Sequence, residues 1–267
     1  MRPLRPGPEG RQKGPAVIWA CLGWAANLHT SDQARKEVVI MNSRFKKLGL
    51  VLVAIGFVFV AGGAYTFIKT QEGAKSLQAF SAAQGVKLTY NDQGQLVDRG
   101  ETAEADSIMS LLTNDWGYPV NRAELDPNDP IVNTASEYMY QMATIAFHTL
   151  NGTQTVVLDK DVEYKGQTFA AGEYEVAVAG RYFSQFDRQH PLDGPAREKA
   201  WSGTAHALIA ELGVGSVTAS TLQMGLGLAA LFAALGATII LTGLGIVWAV
   251  RAETVKVPAF RPAPMPA

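Results

Sequence analysis

One cysteine, Cys21, stands in 267 residues, so no internal disulfide can form and no CxxC metal or redox pair is available. The usual signatures of chemistry are also missing. There is no GxSxG elbow, no GxxxxGK[ST] phosphate loop and no HExxH pair, which removes the standard nucleophile, nucleotide and zinc readings. Charge is absent from two long stretches. Leu48 to Ile68 is a run of 21 uncharged residues, and at about 1.5 Å per residue it covers the ~30 Å hydrocarbon core of a bilayer. Leu212 to Val250 is uncharged as well and is too long for a single crossing. Its Ser/Thr/Gln-bearing start, "GSVTASTLQ", is therefore expected outside the hydrocarbon, with the span near 224–250. Neither span carries an ionisable side chain, which argues against a channel, transporter or proton relay.

The charges that are present orient this hairpin. Arg44, Lys46 and Lys47 precede the first span, and Arg251, Lys256 and Arg261 follow the second. Basic flanks stay on the cytoplasmic side, so both termini are expected in the cytoplasm, with the middle of the chain outside a plasma membrane. Between them, residues 69–211 hold 11 Lys and Arg against 20 Asp and Glu, a net charge of −9. An acidic domain repels phosphates, and no nucleic-acid partner is expected.

Residues 1–40 fit this plan poorly. "MRPLRPGPEGRQKGP" has no hydrophobic periodicity and is expected to be disordered. "AVIWACLGWAANLHT" is uncharged but too short to span, about the size of a signal-peptide core. Met41 with its basic flank reads as a natural start, leaving 1–40 as a mis-started extension or a loose cytoplasmic arm. At the other end, residues 251–267 read as a Pro-rich cytoplasmic tail.

Small residues are placed with a period inside the spans. Gly49, Gly56 and Gly63 recur every seven residues in the first, and Ala229, Gly236 and Gly243 do so in the second. Seven residues return nearly to the same helix face. In lipid, where van der Waals packing replaces the hydrophobic drive, such a face lets two helices approach closely. Packing of the two spans on each other is the expected use, and a homodimer through the same face is the alternative.

The exported segment, 71–211, reads as an α+β domain. Residues 71–84 continue the first helix to Gly85, and 86–98 alternate around "NDQG" as a β-hairpin. A short helix with Ala105, Ile108, Met109 and Leu112 on one face follows. A longer core helix is expected from "DPNDP", capped by Asp129 with Pro130 in its first turn, to Asn151 and Gly152. "TQTVVLD" and "EYEVAVAGRYF" read as strands, the second with Tyr174, Val176, Val178 and Tyr182 on one face. A last helix from Pro195, with Trp201, Ala205, Leu208 and Leu212 as its stripe, leads into the second span.

Three histidines lie in this domain: His148, His190 and His206. A metal site needs two or three converging with a carboxylate, and none of these lies at ligand spacing. His190, in "FDRQHPLDG" between Asp187 and Asp193, is the candidate centre of any catalytic loop. Met139 and Met142 are spaced to share a helix face but read as core packing. The acids Asp115, Glu124, Asp126 and Asp129 read as turn formers rather than a calcium loop, because Pro127 and Pro130 break the alternation of ligands. No cofactor is expected.

The segments "SLQAFSAAQGVKLTYNDQGQLVDRG", "LLTNDWGYPVN", "LDPNDPIVNTASEYMYQMATIAFHTLNGTQTVVL" and "FDRQHPLDGPAREKAWSGTAHAL" resemble a set of bacterial two-span membrane proteins, over about residues 41–250. Some of those carry the label aromatic ring-opening dioxygenase. The label implies an iron held by two histidines and a carboxylate, and no two histidines here are in such register. The expected protein is an envelope interaction or assembly factor, bound to membrane lipid and to a protein partner. The alternative is a metal-dependent or hydrolytic enzyme centred on His190.

Overall fold

A computed structural model describes the backbone of residues 16–253. The expected loose segment 1–15 and the Pro-rich tail from 254 lie outside the described residues, as do the side chains of residues 16–36, 38, 252 and 253. The chain is a mixed helix and antiparallel-sheet protein with two helices long and apolar enough to cross a membrane. It divides into two compact units, one formed by the stretches up to Gly62 and from Phe232, the other by Gly63–Leu231.

The first unit pairs parts of α1 (Ala16–Gln84) and α5 (Gly203–Glu253). The stretch 16–40, expected as a loose arm, is helical backbone. Only Gly23 interrupts it, and no proline follows Pro15 before Leu48, so its Ala, Leu, Arg and Lys content favours helix. Gly49 and Gly56 are buried on one side of the pair, Gly236 and Gly243 on the other. A Cβ added at Gly49 would lie 2.7 Å from the Gly243 carbonyl oxygen, and one at Gly236 2.7 Å from that of Gly56. Backbone meets backbone at both levels, which only glycine permits. Phe59 and Phe232 meet with ring centroids 6.1 Å apart. The other faces carry Leu50, Phe57, Val58, Leu241 and Trp248, all exposed.

The second unit keeps the remainder of both long helices. Thr70 is packed against Gly225, and Gly73 against Leu222; Gly63 and Ala229 are buried. The domain expected over 71–211 is thus larger at both ends. Leu212 belongs to its core, a Cβ at Gly215 would strike the Tyr138 ring, and Ser216 Oγ donates to the Ala135 carbonyl at 3.3 Å. The uncharged start of α5, expected to lie outside the hydrocarbon, is part of the domain's own packing.

Gly85, at φ +65°, ends α1, and its N–H returns to the Ser81 carbonyl. The hairpin expected over 86–98 is shortened to 89–97, where Asn91 N–H donates to the Gln95 carbonyl and Val97 N–H to that of Thr89. Tyr90 bridges Leu96, while the Asn91 side-chain oxygen accepts from the Gln93 and Gln95 N–H groups. Its first residues pair elsewhere: Leu88 N–H donates to the Pro130 carbonyl, and Val132 N–H to that of Val86. That pairing holds 130–132 extended, so the core helix cannot begin at Pro130. "DPND" instead forms a turn in which Asp126 Oδ1 accepts from Asn128 N–H.

The core helix α3 (Ala135–Leu150) starts with Thr134 as its cap in a Thr134–Glu137 capping box and ends at Asn151. It is the spine of two apolar clusters. Tyr138, Tyr140 and Ala143 pack with Leu88, Val132 and Leu212, and with Ile108 and Leu112 from α2 (Thr102–Ser110) and the π-helical turn after it. Ala146 and Leu150 pack with Val156, Val178 and Trp201. Two antiparallel ladders lie on that second cluster's side of the chain. Strand β1 (Thr153–Leu158) pairs with β4 (Gly172–Ala177) in the register Thr153↔Ala177 to Leu158↔Gly172. Between them β2 (Val162–Tyr164) and β3 (Gln167–Phe169) form a hairpin closed by Lys165 and Gly166, both at positive φ, as a two-residue turn requires. β4 stops at Ala177 because Gly180, at φ +70°, turns the chain, so Tyr182 leaves the face expected to carry it.

The helix expected from Pro195 is broken in two. α4 (Asp193–Ala200) ends at Trp201, and α5 begins at Gly203. The buried Trp201 indole donates to the Arg181 carbonyl at 3.1 Å, and Leu208 is exposed instead of completing a stripe.

Candidate functional site

Asp187, His190 and Asp193 are brought together in one loop at the start of α4. His190 Nδ1 accepts from the N–H groups of Leu192 and Asp193, at 3.1 and 3.2 Å. The ring thus does for α4 what a capping side chain does, taking up donors that open a helix. Accepting there fixes the tautomer with the proton on Nε2. The ring is held by the edges of Tyr164 and Phe169, with centroids 5.2 and 4.9 Å away.

Both carboxylates are engaged as well. Asp187 Oδ2 accepts from the Tyr164 hydroxyl at 2.6 Å and from Lys165 Nζ at 3.1 Å, and its Oδ1 accepts from Gln189 N–H. These bonds, the tyrosine hydroxyl's first among them, hold its pKa down at about 2. Asp193 takes a two-pronged bond from Arg181, at 3.0 and 2.6 Å, which lowers its pKa in the same direction. A carboxylate so stabilised is a poor general acid or base near neutral pH. The loop is built as a clasp joining the β2–β3 hairpin, the turn after β4 and α4, and the Lys199 ammonium adds a bond to the Thr155 carbonyl of β1 at 2.6 Å.

The clasp has a pH signature. Both aspartates have folded pKa values below their ordinary ones, so they contribute stability that is present above the ordinary aspartate range and is lost as pH falls through the folded values. Amide exchange in residues 187–200 is expected to accelerate between pH 4 and 2 ahead of α3. Uniform acceleration of both regions would contradict the clasp.

The other histidines sit apart in role. His148 Nε2 pairs with Asp98 at 2.8 Å. His206 is exposed but not apart from Trp201: it lays its ring edge on Phe183 and leans on Trp201, at 4.8 and 5.9 Å between centroids. Among the described residues no group of three His, Cys, Asp or Glu side chains is placed to hold a metal ion. Met139 and Met142 pack against the cluster around Tyr138. Glu124, one of the clustered acids, is drawn toward its charged form. Burial works to raise its pKa, but bonds from Ser136 N–H, Gln223 Nε2 and Asn121 Nδ2 outweigh it and lower it.

A second feature was not visible as a motif. Beyond the contact of Gly73 with Leu222, residues of α1, α3 and α5 line an apolar, open-sided cavity of about 610 Å³. Leu77, Val132, Ile145 and Leu212 form its inner wall, and Gln84, Gln141 and Glu211 supply polar groups. Ser81 and Tyr138, which also line it, satisfy each other through a 2.7 Å hydroxyl pair. The only sequence trace of this cavity is the uncharged stretch of α5 beyond the length of one bilayer crossing.

No protein-family model matches the chain, and neither a curated protein nor a solved structure does. The class defined by this structure is a mixed helix and antiparallel-sheet protein with two long apolar helices.

Proposed function

We propose that this is a membrane-anchored protein of the bacterial envelope, with both termini in the cytoplasm, whose outer domain acts by contact as an interaction or assembly factor. The observation that carries the reading is the commitment of the His190 loop: its ring nitrogen and both carboxylates are spent on holding α4. The anchor reading is supported by the basic flanks, by the glycine face of the helix pair and by the exposed apolar faces on its outside. Such faces are stable in lipid and costly in water. Anchoring confines the domain to a thin layer at the membrane and raises its effective concentration toward a partner there.

The test is a substitution that removes the candidate chemistry. His190→Ala leaves two helix-opening N–H groups without their acceptor, a loss of about 1 kcal/mol. The variant is expected to melt a few degrees lower and to restore a deletion strain as well as the parent at equal protein level. Loss of function at unchanged abundance would replace contact with a catalytic or metal role for the loop.

A further inference from the structure

We infer that the cavity between the outer ends of α1 and α5 and helix α3 holds one hydrocarbon chain of a zwitterionic membrane phospholipid; this rests on the membrane-anchored reading above. The volume, about 610 Å³, lies within the range of built ligand sites, which are mostly apolar with a few polar groups to orient the ligand. The wall asks for nothing polar in its depth, since the Ser81 and Tyr138 hydroxyls are bonded to each other. An apolar hollow of this size gains most from an apolar occupant.

Position selects the source. Two of the three walls are the helices whose lower parts are apolar enough to cross a bilayer. Leu77 lies nine residues beyond Ile68, about 13 Å of helix, and Thr218 lies six residues before Met224, about 9 Å. The cavity therefore begins just past the headgroup layer, which adds some 5–8 Å on each side of the hydrocarbon. The intervening surface is free of charge on the relevant sides. Lys69, Glu72 and Lys75 fall on the outer side of α1, whereas Thr70, Gly73, Leu77 and Ser81 form the side turned to α5 and α3. Along α5 no charge occurs from Leu212 inward. The mouth is apolar as well, with Phe80 and Leu208 exposed and Val214 68% exposed.

The polar groups select the head. Glu211 is the only carboxylate or basic group on the wall and lies in a domain of net negative charge. It disfavours the free carboxylate of a fatty acid and favours an amine-bearing head, while the Gln84 and Gln141 amides suit ester and phosphate oxygens.

The full chain in vesicles of phosphatidylethanolamine and phosphatidylglycerol, doped with phosphatidylethanolamine bearing a diazirine on one acyl chain, tests this directly. Irradiation and peptide mapping are expected to label two regions: the spans around 57–60 and 235–240, and the cavity segments 77–84 and 208–218. Val214→Asp and Leu208→Trp, both at the exposed mouth, are expected to lower cavity labelling roughly tenfold and leave span labelling unchanged. Labelled spans with bare cavity segments, or cavity labelling indifferent to both variants, would overturn the inference while leaving the anchor intact. Unlabelled spans would instead overturn the anchored reading. Equal labelling by a diazirine fatty acid would overturn the choice of head. Displacement of the lipid label by a second copy or a co-purifying protein, seen as a protein crosslink from a photoreactive residue at position 214, would overturn the choice of occupant.

Discussion

Gly56→Leu is expected to lower the melting temperature of the detergent-solubilised protein by about 5 °C or more, while Val58→Leu leaves it nearly unchanged. A Cβ at Gly56 would lie 2.6 Å from Ile240 Cγ1, 2.8 Å from the Gly236 carbonyl oxygen and 2.9 Å from Ile240 N. Two of those three neighbours are backbone, so no rotamer change relieves the clash and the helices must part. Overpacking of this kind costs typically about 1–3 kcal/mol, and each kcal/mol shifts the midpoint of a chain this size by about 2–4 °C. Val58, two residues on, is 71% exposed. Thermal melts of both variants at matched detergent concentration measure the difference. Equal, small shifts would mean that the glycine face is not the packed one. The result also bears on oligomers, since a homodimer through the same glycines could form only after the seam within one chain had opened.

This seam was legible in the sequence because a helix face proposed to lie in lipid has few options. With no hydrophobic drive between helices, a heptad of small residues has close approach as its main structural use. The register of the pair follows from Gly49 meeting Gly243 and Gly56 meeting Gly236. Less was legible where the outcome depended on which surface covers a segment. "GSVTASTLQ" reads only as a polar stretch outside the hydrocarbon, yet Gly215 and Ser216 are fixed by the Tyr138 ring and the Ala135 carbonyl, contacts that depend on α3. The break at Trp201 is followed by Ser202, whose hydroxyl accepts from Ala205 N–H, and by Gly203, a signal that the apolar stripe overshadowed. The indole is drawn into the cluster around Val156 and Val178, a tertiary demand that acts with this local signal. His190 stood out through its acidic neighbours, but the use of its ring on backbone N–H groups depends on loop geometry that spacing does not encode.

The start of α3 is different, because its signal was present. "TASE" is a capping-box pattern, overshadowed by the Asp and Pro residues just before it. Its glutamate sets the second large expected effect: Glu137→Ala should cost about 3 kcal/mol or more. Glu137 is 1% exposed. Its Oε2 accepts from the N–H of Asn133 and Thr134, at 3.0 and 2.9 Å, and from the Thr134 hydroxyl at 2.8 Å. Truncation leaves two backbone donors without partners, at about 1–3 kcal/mol each where they are buried, and opens a void beside Tyr138 and Ser136. Glu137→Gln keeps an acceptor oxygen and separates the effect of charge from that of the bonds. Burial pushes the Glu137 pKa up, the bonds from Asn133 and Thr134 pull it down, and burial prevails. A carboxyl raised in the folded state contributes most below the ordinary glutamate range and loses that contribution as pH rises through its folded value. The stability of the Gln variant relative to the parent should therefore improve from pH 4 to pH 8, read from denaturation midpoints at each pH. An advantage of the parent that grows with pH would show that the bonds outweigh burial at this residue, reversing the direction argued for its proton.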